Sequence, residues 1–370
     1  MGPVSLLGLL SMGYGALAWT LWVIRPHFGS RNSMAVGFFM ALFALWAGVS
    51  MFRLDSRIDL PNLQNLAVLM GFFGLFLLSS RLSATYPDYG LKVKRWILWA
   101  GIVASGLYGL SVALGGLESS LIVGTRTYAL FALIPIAIAF ANARHGSRAD
   151  LYWGLFMTLM VAASLSRLAL VIALILLGLS LLPAKGSLWQ WGKFVGLFAA
   201  ALTILVAAVF NIEPLRKRFF TGDVSVQVAG VGINMMGRGD FWVATWQSFL
   251  ESPWTGKGAG SASNTIIARF GERITHPHND YLRLLHDYGL IGCLFFAAAF
   301  MLMLWSALTA WLRAYSRGSP SATLHFAAFL ALAGIALSST TDNSVSYIFV
   351  MAPLAILVGA SVGHNPRGSA

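Results

Sequence analysis

The pentapeptide His276-Pro277-His278-Asn279-Asp280 lies in the one long polar stretch of an otherwise apolar chain, directly before a hydrophobic segment begins. A histidine titrates near neutrality and accepts a hydroxyl proton there, which makes His278 a candidate general base. His276 shares its loop beside Pro277 and is a candidate for shaping that loop around a substrate. Asn279 or Asp280 is placed to orient the ring or to cap the following helix. Arginines offer a planar, permanently charged fork that can hold a pair of anionic oxygens bidentately as a lysine cannot. Two of them open apolar or amphipathic segments: Arg167, after Ser164-Leu165-Ser166, and Arg238, after Gly237.

Weaker candidates surround these three. Arg126 follows Gly124-Thr125 at a helix start, Arg216 belongs to the basic run Arg216-Lys217-Arg218, and Asp342-Asn343 sits in the last polar turn, placed to hold His278 or an arginine. Each has a plainer reading: an arginine at a helix end snorkels to the interface, and a loop histidine bonds to backbone. A metal site built from His276, His278, Asp280 and His286 is chemically conceivable, but no second carboxylate-histidine cluster supports it, and no metal or other cofactor is expected. The glycines at 256, 258 and 260 follow no strand and open no nucleotide loop, so they read as a flexible connection.

Composition dictates what must position these groups. The chain of 370 residues is 58% hydrophobic and only 10% charged, with mean hydropathy +0.74, against about 25% charged for an ordinary soluble domain. An all-α polytopic membrane protein follows. Its single cysteine, Cys293, permits neither an internal disulfide nor a cysteine-based metal site. The start, Met1-Gly2-Pro3-Val4, lacks a basic leader region, so the first segment reads as a retained helix.

Apolar runs predict helices at Pro3–Ile24, Met34–Phe52, Leu66–Ser80, Val93–Leu114, Thr125–Asn142, Leu151–Leu165, Leu168–Leu182, Phe194–Phe210, Gly289–Ala310, Thr323–Ser339 and Ser346–Val362. That is about eleven spans, twelve if one more precedes them. The stretch 151–183 must break near Ser164-Leu165-Ser166-Arg167, because one helix of that length would run about 48 Å against a hydrocarbon core of about 30 Å. Basic residues recur in alternate loops, at Arg25/Arg31, Arg81/Lys92/Lys94/Arg95, Arg144/Arg148, Lys185/Lys193 and Arg313/Arg317, which places those loops inside. The net charge of +12 is therefore an orientation signal and not a nucleic-acid footprint.

Three regions result: amino-terminal spans over 1–210, an external loop region over 211–287, and carboxy-terminal spans over 288–370, all in one integrated membrane domain. The loop region mixes seven acids with eight bases. Within it, Asp240 is expected to cap a surface-lying helix with Trp242, Trp246, Phe249 and Leu250 on one apolar face.

Gly237-Arg238 followed by Trp242, then Pro253-Trp254-Thr255-Gly256-Lys257-Gly258, then His278-Asn279 with Gly289 and Gly292 behind it, resembles the O-antigen ligase and O-antigen polymerase superfamily. Ser164-Leu165-Ser166-Arg167 resembles its upstream arginine motif. The resemblance implies a metal-free membrane glycosyltransferase of the bacterial inner membrane that takes a glycan from a polyprenyl diphosphate donor on the periplasmic side. It maps the family's essential arginines onto Arg167 and Arg238 and its histidine onto His278. The expected partners are that donor, a growing glycan or a lipid A core as acceptor, and the bilayer. The His278-Asn279 and Gly289-x-x-Gly292 spacing leans toward the ligase branch, with a polymerase close behind. A solute transporter, the alternative of another class, would gather polar residues at the bilayer midplane, and the unusual residues here gather at one face.

Overall fold

The computed structural model describes residues 6–364 except 54, 57–59, most of 182–212, 221–225, 229–230, 234–236 and 273. The amino-terminal helices are α1 (Leu6–Ile24), α2 (Arg31–Ser50), α3 (Leu60–Thr85), α4 (Tyr89–Gly115), α5 (Thr125–Arg144), α6 (Arg148–Ala163) and α7 (Arg167–Leu181). After them come α8 (Glu213–Phe220), the hairpin β1 (Val226–Val228) and β2 (Val231–Ile233), α9 (Arg238–Leu250), α10 (Ser261–Phe270), α11 (Asp280–Ser316), α12 (Ala322–Ser338) and α13 (Ile348–Gly363).

Hydrophobic run length explains the agreement with the predicted segments, each of which is helical on described residues apart from a residue or two at some ends, Met51-Phe52, Ser164-Leu165 and Ser339 lying in turns and Tyr347 outside the helix. The predicted helix Phe194–Phe210 lies largely outside them. Among the described residues five helices are long and apolar enough to cross a membrane: α2, α3 from Asn62, α4, α5 and α11, with shorter apolar helices in α1, α7, α12 and α13. By this helix composition the chain is a multi-pass membrane protein. Two details correct the sequence reading. A short antiparallel hairpin, with Gln227 opposite Gly232, interrupts the helical fold, and α3 starts at Leu60 rather than Leu66, because the polar stretch Pro61-Asn62-Leu63-Gln64-Asn65 continues the helix.

The chain divides into two compact units, residues 1–97 with 240–370, and residues 98–239. In the first, α13 lies along α3. A side chain on Gly359 or Gly363 would collide with the backbone of Phe76 or Ser80, and this close approach lets Ser79 Oγ donate to Ile356 O at 2.6 Å and Ser83 Oγ to Ala360 O at 2.7 Å. Small residues serve here because lipid offers no hydrophobic drive, so helices associate by close packing and hydrogen bonds. Phe43, Phe72, Phe73 and Phe76 fill the adjoining core.

In the second unit α5, α6 and α7 pack together around the fully buried face of α5. Tyr128 stacks on Tyr108 at 4.4 Å and bonds to Ser105 Oγ at 2.8 Å. Arg144 Nη1 donates to Ser180 O at 2.6 Å, which puts the carboxy-terminal ends of α5 and α7 side by side. Helices α5 and α7 are therefore parallel, and Arg126 and Arg167, at their first turns, share one end of this unit.

Candidate active site

His278 occupies the left-handed region at φ 54°, a conformation uncommon for a side-chain-bearing residue, though histidine visits it more than most. Pinning on both sides holds it there. Before it, the Pro277 carbonyl accepts from Trp242 Nε1 of α9 at 2.9 Å. After it, Asn279 caps α11, its side chain accepting from Leu282 N at 3.0 Å.

The next residue fastens the turn to the α12–α13 connection. Asp280, 1% exposed, donates its backbone N–H to Ser339 O at 2.9 Å and accepts from Val345 N through Oδ2 at 2.9 Å. Its Oδ1 pairs with Arg283 Nη2 at 3.2 Å, and Arg283 Nη1 reaches Ser346 Oγ. Burying both partners is tolerable because each is charge-paired and hydrogen-bonded. The latch carries Asn343 to the histidine, with the amide nitrogen 3.4 Å from His278 Nδ1. Asn343 is 1% exposed, and its Oδ1 is buried without a hydrogen-bond partner among the described residues. Asp342 accepts from the Asn343 N–H at 2.7 Å, so it shapes the turn that presents Asn343.

Thus His278, Asn279, Asp280 and the 342–343 turn come together, with Asn343 beside the ring. His276 is half-buried in the same loop. Arg126 and Arg167 are half-buried at the shared end of the second unit. Arg167 follows a tight turn in which Leu165 takes φ 52° and Ser164 Oγ bonds to Val161 O at 2.6 Å. Arg216 is exposed on α8. Arg238 is the first residue of α9, one turn before Trp242. Asp240 is accordingly a first-turn acid of that helix and not its cap, because Gly237 at φ 76° already turns the chain into it. The buried stripe of α9 is Phe241, Ala244, Thr245, Ser248 and Phe249, whereas Trp246 and Leu250 are exposed, so the expected apolar face is rotated about the axis. Phe241 meets Phe270 of α10 edge-on at 4.9 Å.

The glycine stretch is the clearest correction, for it is a built turn and not a flexible connection. Helix α11 breaks at Gly289 (φ 65°, ψ −174°), which orphans backbone groups on both sides. Segment 253–258 lies against the break and supplies them: Lys257 N donates to His286 O at 2.9 Å, Gly258 N to Asp287 O at 3.0 Å, Leu290 N to Pro253 O at 2.8 Å and Ile291 N to Trp254 O at 3.1 Å. Trp46 Nε1 takes the Tyr288 carbonyl at 2.9 Å. With these five groups at the break partnered, the kink goes far toward the requirement that buried backbone be hydrogen-bonded. Lys257 also pairs with Glu251 at 2.5 Å, holding that carboxyl below the usual carboxylate range.

A second buried cluster, unforeseen in the sequence, stands beneath this turn. Asp287 accepts from Gly260 N at 3.0 Å, Ala262 N at 2.8 Å and Ser261 Oγ at 3.2 Å, capping α10 from a distant element. Fully buried His286 contacts Ser261 Oγ at 3.1 Å through Nδ1, and Ser248 Oγ at 3.0 Å and Thr265 Oγ1 at 3.1 Å through Nε2. Two of the side chains weighed for a metal, Asp280 and His286, are thus occupied apart from His278. Among the described residues no group of three or more histidine, cysteine or acidic side chains stands together as metal ligands.

Below Asp280 opens an apolar cavity of about 240 Å³ walled by Tyr281, Leu284, Phe296, Phe300, Met301 and Leu354. It joins the polar turn to the lipid-facing part of α11.

Residues 152–297 match the family model described as O-Antigen ligase. The matched stretch contains Arg167, Arg238, the glycine turn, His278 and the break at Gly289, and excludes Arg126 and Asp342. Comparison with curated proteins finds no match.

Proposed function

From an O-antigen ligase family enzyme domain over residues 152–297, we propose that the protein moves a glycan from polyprenyl (undecaprenyl) diphosphate to an acceptor hydroxyl at the periplasmic face of a bacterial inner membrane, with lipid A core as acceptor. The observation that carries this reading is the pinned left-handed His278, held from Trp242, Ser339 and Val345 and faced by Asn343.

The acceptor oxygen attacks the anomeric carbon as its proton passes to His278. The bond from that carbon to the diphosphate oxygen breaks, and the electron pair leaves with the diphosphate. In-line displacement inverts the anomeric centre. Arg167 and Arg238 take up the charge gathering on the leaving group, the term that most lowers the barrier when the leaving group is already good. This division of labour needs no metal. The cavity below Asp280 suits the first isoprene units of the donor, since its wall is almost wholly apolar and it is continuous with the polar turn.

Base catalysis requires an unprotonated ring nitrogen facing the acceptor. An amide nitrogen set against Nδ1 would force the proton onto Nε2, leaving the outer nitrogen a donor only. Turning the Asn343 amide over places its Oδ1 against Nδ1, so that Nδ1–H donates to it and Nε2 carries the lone pair. Asn343 thereby selects the catalytic tautomer.

The test is incubation of the purified protein with a polyprenyl-diphosphate oligosaccharide, with and without lipid A core, read on a gel against His278→Ala. A shift only with lipid A core is the expected result. A ladder from donor alone would make the protein a polymerase, and absence of any His278-dependent product with either would overturn glycan transfer to these acceptors.

A further inference from the structure

The opposite end of α11 holds a second polar site. From the break at Gly289 to Ser316 the helix runs about 40 Å at 1.5 Å per residue, so Arg313 and Arg317 stand far from His278. There a cavity of about 260 Å³ is lined by Arg313, Arg317, Ser319, His325, Ser361 and His364, among others, and by no carboxylate among the described residues. We propose that this cavity binds a phosphate-bearing anion.

Two side chains aim at such a ligand. His325 is 5% exposed. Its Nδ1 bonds to Ser361 Oγ at 2.9 Å, and with that hydroxyl donating, the neutral ring carries its proton on Nε2, which has no partner among the described residues and is a donor for the cavity. His364, its ring 5.5 Å from that of His325, buries an Nδ1 that likewise lacks a partner among the described residues. A buried ring nitrogen left unsatisfied, as at His364, is costly unless something in the cavity meets it.

The electrostatics select an anion. Arg313 uses Nε and Nη2 on Thr309, at 3.1 and 3.3 Å, which stiffens its guanidinium and leaves Nη1 for a ligand. Arg317 adds a second exposed fork one turn on. Helix α12, 17 residues long, begins at this wall, and its N-cap Ser321 makes no side-chain capping bond, so the positive end of the helix dipole adds to the arginines. Basic pockets between helices at a membrane surface are suited to lipid head groups, and a free phosphate compound would use the same donors.

The test uses the full chain in detergent. Native mass spectrometry measures retention of phosphatidylglycerol against phosphatidylcholine, and thermal unfolding is followed with and without inorganic phosphate. Arg313→Gln with Arg317→Gln should lower retention, or the phosphate response, at least about tenfold, as loss of charge-assisted bonds requires. Arg25→Gln with Lys92→Gln removes the same charge from exposed positions off the cavity and should leave both readouts unchanged. Preference for phosphatidylglycerol assigns the site to a lipid head group; a phosphate response without lipid preference assigns it to a soluble phosphate compound. Equal losses in the two double variants, or neither lipid preference nor phosphate response in the wild type, overturns the proposal. Because no glycan transfer is measured, its failure leaves the role of His278 untouched.

Discussion

Replacing Gly289 with alanine adds one methyl group where the structure has no room. The new Cβ would lie 2.5 Å from the Trp254 carbonyl carbon and closer still to Gly256 N. The backbone there, at φ 65° and ψ −174°, is essentially reserved for glycine, and holding another residue in it costs about 1–3 kcal/mol. Forcing the methyl against rigid backbone adds about 1–3 kcal/mol, so the sum is about 2–6 kcal/mol. Gly271 isolates the first contribution, because it shares the same region at φ 83° and ψ 168° yet has nothing among the described residues within 4 Å of its would-be Cβ. Gly48, helical and equally open, should gain about 1 kcal/mol as alanine. Unfolding of the three variants in one detergent should therefore rank Gly48→Ala above wild type, Gly271→Ala below it and Gly289→Ala lowest. If Gly289→Ala costs no more than Gly271→Ala, the tight seat of the 253–258 segment on the helix break is wrong.

Asp287→Ala strips the distant cap from α10 and leaves the N–H groups of Gly260 and Ala262 buried without acceptors; at about 1–3 kcal/mol per orphaned group, it should destabilise by at least about 2 kcal/mol in the same unfolding assay. Asn343→Leu removes one hydrogen bond to His278 and should lower kcat about tenfold with little change in KM. Asn343→Asp puts a carboxylate beside the ring, which favours the imidazolium and raises its pKa, so the acidic limb of the pH–rate profile should move to higher pH by about one unit or more; an unmoved limb would separate Asn343 from the titrating group. Arg167→Lys and Arg238→Lys keep the charge but lose the fork, and each should weaken donor use about tenfold in kcat/KM; undiminished kcat/KM would remove that arginine from diphosphate binding.

The sequence alone determined the membrane class and most helix positions, because the cost of exposing backbone and polar groups to hydrocarbon leaves long apolar runs no other form. The break at Ser164-Leu165-Ser166-Arg167 was legible for the same reason, since an unbroken helix would overrun the bilayer. Asn279 as a cap was equally local: one side-chain oxygen three residues before an N–H. Long-range pairing was not legible. Nothing near Asp287 says that it caps a helix beginning at Ser261, and nothing near Gly256 says that its neighbours complete a broken helix starting at Asp280. The turn at 256–260 looked loose because glycine marks both freedom and close approach, and only a neighbouring backbone tells them apart. Asp280 looked like a partner for His278 two residues away. The tertiary structure turned it instead toward Val345 and Arg283, because a buried carboxylate takes whichever donors the fold delivers, and that choice brought Asn343, 65 residues along the chain, to the histidine ring.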